Sequence, residues 1–161
     1  QHVPLHDGGG GRPGGGAILR HAAVFLALLV LPQAVFAEAR GAVLFEQHCA
    51  ACHQAMGEGT PGLAPRIAGT LGKRASSEAG RAYLAQLLID GMAGPIVVSG
   101  ERFNGAMPGF STLGNEDIQA LLAYVIGTLN DSAAASVDLA AIETARKRKL
   151  PPNEVRRLRG S

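Results

Sequence analysis

The residues best placed to do chemistry are Cys49-Ala50-Ala51-Cys52-His53. Two cysteines three apart, with a histidine directly after the second, form the attachment signature of c-type haem. On one helical turn, residues i and i+3 share a face. Two thiols so placed can add to the two vinyl groups on one edge of a single porphyrin. His53, one step further on, can turn its imidazole to the iron. Cys49 and Cys52 are the two cysteines of the chain, so no disulfide framework competes for them unless they pair with each other. A thioredoxin-like redox pair would need a βαβ setting, whereas the surroundings read as helix and glycine-rich loop. Structural zinc would want a second pair of ligands, and His48 and His53 could join the thiols only in awkward geometry. His48 reads as a surface bystander.

A second candidate site lies in residues 101–110, ERFNGAMPGF. Met107 follows His53 by 54 residues in a Gly/Pro-rich loop. Pro108 biases Met107 toward extended backbone, which pins the direction of its thioether. A thioether opposite an imidazole is the Met/His axial pair that raises haem potential. Met56 is too close to His53 in sequence to reach the other haem face. Met92 suits a gap-filling role at a helix end. Asn104 suits either a hydrogen bond to the Met sulfur or a propionate, or a turn, with the turn favoured. A metal-bound histidine normally donates its other ring N–H to a nearby acceptor. The Ala64-Pro65-Arg66-Ile67-Ala68-Gly69 segment is well placed to offer the Pro65 carbonyl, although an ordinary turn proline would look the same.

Several elements must position these groups. Residues 39–51 read as a helix that delivers the Cys-His turn at its C-terminal end, with Phe45 and Cys49 on one face. Residues 54–69 hold four Gly and two Pro among 16 and read as loop. Glycine there lets backbone approach a ring closely. Residues 77–90 read as a helix capped by Ser77, with Tyr83, Leu84, Leu87 and Leu88 at helical spacing and Gly91 to end it. Residues 96–98 are the one strand-like run and look too short to build a sheet on. Residues 115–129 give the clearest helix. Gly114 or Asn115 caps it, Glu116 and Asp117 suit its positive end, and Ile118, Leu121, Leu122, Val125 and Leu129 follow its period.

The 161 residues allow one domain plus appendages. At 47% hydrophobic and 17% charged the chain is globular. Aromatics make up only 4%, so a small domain would struggle to build a core unaided. A buried haem would supply the missing apolar mass, and the chain without it is expected to fold poorly. Net charge is −3 over residues 38–132 and +4 over residues 133–161. An acidic body with a basic tail is no nucleic-acid footprint.

Residues 1–21 are glycine-rich and cannot order themselves. Arg20 and His21, a 10-residue apolar run at 22–31, and Val35 and Ala37 at the −3 and −1 positions describe a secretory signal cleaved after Ala37. Residues 1–37 are thus set apart from a body at 38–132 and a basic extension at 133–161. The run is too short for a confident span, which takes about 20 residues, so membrane association requires an uncleaved anchor. In the extension, Ser136 to Lys149 reads as a helix stopped by Pro151-Pro152. A last turn from Asn153 to Leu158 would set Val155 and Leu158 against the body. A solvated tail and a docking segment for an acidic partner are both open.

From about Gly41 to Leu129 the chain resembles the class I bacterial cytochromes c, small periplasmic electron carriers. The resemblance rests on Phe45 through His53, then Gly-Leu-Ala-Pro65-x-Ile-x-Gly69, then Phe103-Asn-Gly-Ala-Met107-Pro108, then the helix bearing Tyr124. It implies an all-α fold of three to five helices around one covalent haem c, with first and last helices crossing. It implies thioether anchors at Cys49 and Cys52, axial ligands His53 and Met107, and a Pro65 carbonyl orienting His53. Gln54 departs from the family pattern, where glycine is common, and Met56 stands where a polar residue is common. The implied function is one-electron transfer in the periplasm, from a dehydrogenase to an oxidase or reductase, by a monomer or a complex subunit and not by an enzyme. Two other readings are a dedicated subunit of a dehydrogenase complex tethered by the tail, and a haem peroxidase or gas sensor if Met107 detaches.

Overall fold

The computed structural model describes residues 37–132 and 135–160. The expected signal segment up to Phe36, and residues 133 and 134 of the extension, lie outside the described residues.

Helix α1, residues 37–48, leads through a turn at Cys49 into α2 (Ala50–His53). Cys49 N–H donates to Phe45 O at 2.8 Å and His53 N–H to Cys49 O at 2.9 Å, so the helical ladder carries across the motif. After a loop come α3 (Gly72–Ala75) and α4 (Glu78–Asp90). Ser77 caps α4 as expected, its hydroxyl accepting from Gly80 N–H at 3.0 Å. Helix α5 (Asn115–Ala123) starts at Gly114 and widens into a π-helical turn, Tyr124–Thr128. Helical periodicity does not announce that turn. It leaves Val125 and Ile126 buried.

Helices α1 and α5 meet at Gly41. A Cβ there would lie 2.2 Å from Ala120 O and 2.8 Å from Tyr124 Cβ, so glycine sets how closely the helices approach. Beside the crossing, the Phe45 and Tyr124 rings sit 5.5 Å apart and tilted, an arrangement aromatic pairs favour. Helix propensity alone would make Gly41→Ala stabilising by about 1 kcal/mol. The clash outweighs it, because the neighbour is backbone that cannot rotate away. Gly41→Ala is expected to cost roughly 2 kcal/mol, read as a lower denaturant midpoint at unchanged slope.

The chain is mostly helical, as expected, but residues 96–98, which look too short to build a sheet on, do belong to one: Met92–Val98 (β1) and Glu101–Met107 (β2) form an antiparallel hairpin, from Val98 against Glu101 to Met92 against Met107. Its two-residue turn, Ser99-Gly100, has φ of 50° and 84°. Paired left-handed residues are the type I′ pattern that matches strand twist. Turn and cross-strand pairing make strands of segments whose own propensities, with Gly94, Pro95, Asn104 and Gly105, are weak. Residues 37–132 hold five α-helices once the single-turn α2 and α3 are included, within the expected three to five.

The extension is not a solvated tail. Asp138 caps α6 (Leu139–Arg148), accepting from Ala141 N–H at 2.8 Å, and Pro152 opens α7 (Pro152–Leu158). Val137, Ile142, Ala145 and Val155 are buried in the same core as Phe45, Leu84, Ile118 and Leu121. Leu158, expected against the body, is 39% exposed. Gln86, buried on α4, donates to Ala145 O at 3.0 Å, and Asp90 Oδ2 accepts from Leu150 N–H at 2.7 Å. Arg146 donates to Ser111 O, Leu113 O and Asn115 Oδ1. Part of the tail's positive charge thus serves internal bonds. Ile142→Ala should destabilise the protein by about 3 kcal/mol, measurable as a drop in thermal midpoint. A loose tail would show almost none.

Candidate haem-binding site

The motif, the 54–69 loop, α4, the hairpin and α5 surround one cleft. Cys49, Cys52, His53, Pro65, Met92 and Met107 all line it, among Phe45, Leu84, Leu88, Leu121 and Val125. Cys49 is buried and Cys52 exposed, and both are free thiols. Burial, with a contribution from Cys52, pushes the Cys49 thiol up to about 11. A thiol so disposed is protonated near neutrality. This is the reverse of the acidified cysteine that disulfide exchange requires, and it argues against the thioredoxin-like alternative.

His53 is 7% exposed, and its Nδ1 lies 2.9 Å from Pro65 O. A carbonyl only accepts, so Nδ1 carries the proton and donates, and Nε2 keeps its lone pair. Burial lowers the His53 pKa, and the bond to Pro65 acts in the opposite sense. The neutral imidazole that results is the form that ligates metal, with the partner that fixes its tautomer. Gly59 makes this loop path possible. Its φ is 82°, its N–H donates to His53 O at 2.8 Å, and a Cβ there would lie 2.5 Å from Arg66 N.

Met107 occupies the last position of β2, not a loop. The extended backbone expected from Pro108 is there, but the hairpin aims it. Met92 is its cross-strand partner, so the two side chains emerge side by side. The Tyr83 hydroxyl contacts Met92 Sδ at 3.6 Å, so a donor already faces that sulfur. Periodicity places Met92 at a helix end and so misses its place in the cleft; only strand register reveals its proximity to Met107. Asn104 is not brought to the site. It sits mid-strand opposite Pro95, exposed, neither in a turn nor lining the cleft. His48 is exposed, but it reaches the cleft rim, with its ring 5.8 Å from that of Phe110. Among the described residues, no three His, Cys, Asp or Glu side chains gather as a metal cluster, so the zinc alternative finds no ligand set.

Gln54, at the end of α2, has φ of 62° and ψ of 163°, a region that is essentially glycine's own. Its side-chain amide donates to the Thr60 hydroxyl at 2.8 Å, which in turn donates to Cys52 O at 2.8 Å. Strain of about 1–3 kcal/mol stands against one exposed hydrogen bond of about 1 kcal/mol. Gln54→Gly should therefore stabilise by on the order of 1 kcal/mol, seen as a raised thermal midpoint.

The residues present fit haem c. Two thiols on one turn suit two thioethers. A buried imidazole with a free Nε2 and a thioether in the same cleft suit the two axial positions. Apolar walls suit the porphyrin faces. The sequence profile of the family described as cytochrome c matches residues 38–128. One cytochrome c-552 of Thermus thermophilus is 34% identical over 134 residues, covering 81% of this chain and 90% of that one. A second Thermus thermophilus cytochrome c-552 is 34% identical over 122 residues, 73% of this chain and 92% of that one. With fold, cleft and both comparisons in agreement, the chain belongs to the cytochrome c family, as a class I c-type cytochrome that carries haem c and transfers electrons.

Proposed function

We propose that this chain works in the periplasm as a single-haem carrier, taking electrons from a dehydrogenase and passing them to an oxidase or reductase. The observation that carries the reading is the pairing of a tautomer-fixed His53 with Met107 in one apolar cleft. When bound, haem c supplies one-electron redox chemistry at its iron. The chain's residues decide what else happens there. His53 and Met107 would both hold the haem iron, which would leave no open position for a substrate. The helical turn holds Cys49 and Cys52, and Pro65 O holds the His53 imidazole, so these groups would hold the haem without having to move. The apolar walls of the cleft would keep water from the bound haem. Export is supported by the signal-like residues 20–37 and by the covalent haem attachment that the motif implies, which in bacteria is a periplasmic process. Among the described residues, no helix is long and apolar enough to cross a membrane.

The test is carbon monoxide added to the reduced holoprotein. A carrier with both axial positions held should show no rapid spectral change. Fast binding would favour the peroxidase or gas-sensor reading and remove this one. The tether reading draws little support from a tail whose Val137, Ile142, Ala145 and Val155 are buried in the chain's own core. Cross-linking of the native protein in its periplasmic extract should capture redox enzymes transiently. Stoichiometric co-purification with one dehydrogenase would instead favour the dedicated subunit.

A further inference from the structure

The cleft is apolar over most of its wall, yet three guanidinium-bearing residues line it: Arg66, Arg74 and Arg159. Arg66 Nε is engaged with Ala68 O of its own loop at 3.0 Å. Arg74 and Arg159 come from distant parts of the chain and converge. Arg74 Nη1 donates to Arg159 O at 2.7 Å, across 85 residues of sequence. Arg159 Nη1 donates to Val97 O at 3.3 Å. The Arg74 guanidinium carbon lies 5.0 Å from the centre of the Tyr83 ring. Both arginines also oppose the upward push that burial gives the Tyr83 hydroxyl, which places both charges near it. Neither forms an ion pair with a carboxylate among the described residues.

Two half-buried cations at the wall of an apolar cleft lose hydration, a cost that anions in the same cleft would offset. Haem c carries two such anions. Its propionates leave the ring on the edge opposite the vinyl-derived thioethers, so attachment at Cys49 and Cys52 would send both carboxylates toward the part of the cleft away from the motif. Guanidinium is the group best matched to a carboxylate in geometry and charge. We propose that Arg74 and Arg159 bind the haem propionates, and that the end of the C-terminal extension is thereby part of the cofactor site. This rests on the haem c reading above. The packing of α7 serves it directly. Val155 is fully buried four residues before Arg159, so the tail is held where its arginine can reach. The function of the extension is then electrostatic: two guanidiniums keep the propionates ionised and favour the less positive, reduced iron.

The test uses the haem-bearing full chain and its Arg159→Gln and Arg159→Lys variants. Arg159 makes one long side-chain bond to the fold, so folding and haem content should survive in both. Arg159→Gln should lower the reduction potential and shift the propionate bending band in the resonance Raman spectrum. It should also make the potential depend on pH across roughly pH 5 to 8, as a less restrained carboxylic acid titrates. Arg159→Lys should restore most of the potential. Arg74→Gln should move both readouts in the same direction. An Arg159→Gln protein with native haem content, an unmoved Raman band and a flat, unchanged potential would overturn the proposal. So would an Arg159→Lys protein indistinguishable from Arg159→Gln, since only a lost charge distinguishes the two. Haem-free, colourless wild-type protein after expression with a maturation system would bring down the cofactor reading itself. That result is visible before any variant is made.

Discussion

Met107→Ala is expected to abolish the weak absorption band near the red end of the oxidised spectrum that reports sulfur ligation. It should lower the reduction potential by on the order of a few tenths of a volt, because axial ligands are the largest lever a protein holds over haem potential. It should also open the reduced protein to carbon monoxide. The reasoning is geometric. Met107 ends β2 at the open end of the hairpin, in the cleft that holds His53. Met92 stands directly across from it, which makes the control informative. The Tyr83 hydroxyl already engages Met92 Sδ, so Met92→Ala should keep the band and change the potential little. A band that survives in Met107→Ala but disappears in Met92→Ala would transfer the ligand role to Met92.

The second large effect concerns folding. A Cys49→Ala/Cys52→Ala chain produced without haem should show no cooperative thermal transition. Phe45, Leu84, Leu88, Leu121, Leu122 and Val125 belong to the buried core and also line the cleft. Part of their packing is therefore directed at the porphyrin. Without it each loses dispersion contacts on one side, and a chain of this size has little stability to spare. The tail does not compensate, since Ile142 and Val155 are outside the cleft lining and cannot fill the space the porphyrin leaves. Calorimetry decides the matter. A sharp, two-state endotherm in the haem-free variant would show that the polypeptide core suffices by itself.

The local chemistry was legible residue by residue. The i, i+3 spacing of Cys49 and Cys52, with His53 beside them, depends on one helical turn and nothing further away. Ser77 and Gly91 bounded α4 because caps are local hydrogen-bonding devices. The hairpin was not legible. Its strands contain poor strand formers, and what makes them strands is a two-residue turn and cross-strand pairing, which no window on one segment reveals. Asn104 looks like a site residue for the same reason: a loop reading leaves its direction free, whereas a strand sends it outward.

By itself, the sequence determined the thiols, the imidazole, the thioether and the helices, since each is specified by neighbours within a turn or two. The tertiary structure alone decided which methionine's sulfur is already engaged by a neighbour, how closely two helices cross at Gly41, and that the basic tail closes onto the body. Those outcomes depend on groups far apart in the chain, as when Arg74 meets Arg159 across 85 residues. They depend on shared burial and charge, which a linear pattern does not encode.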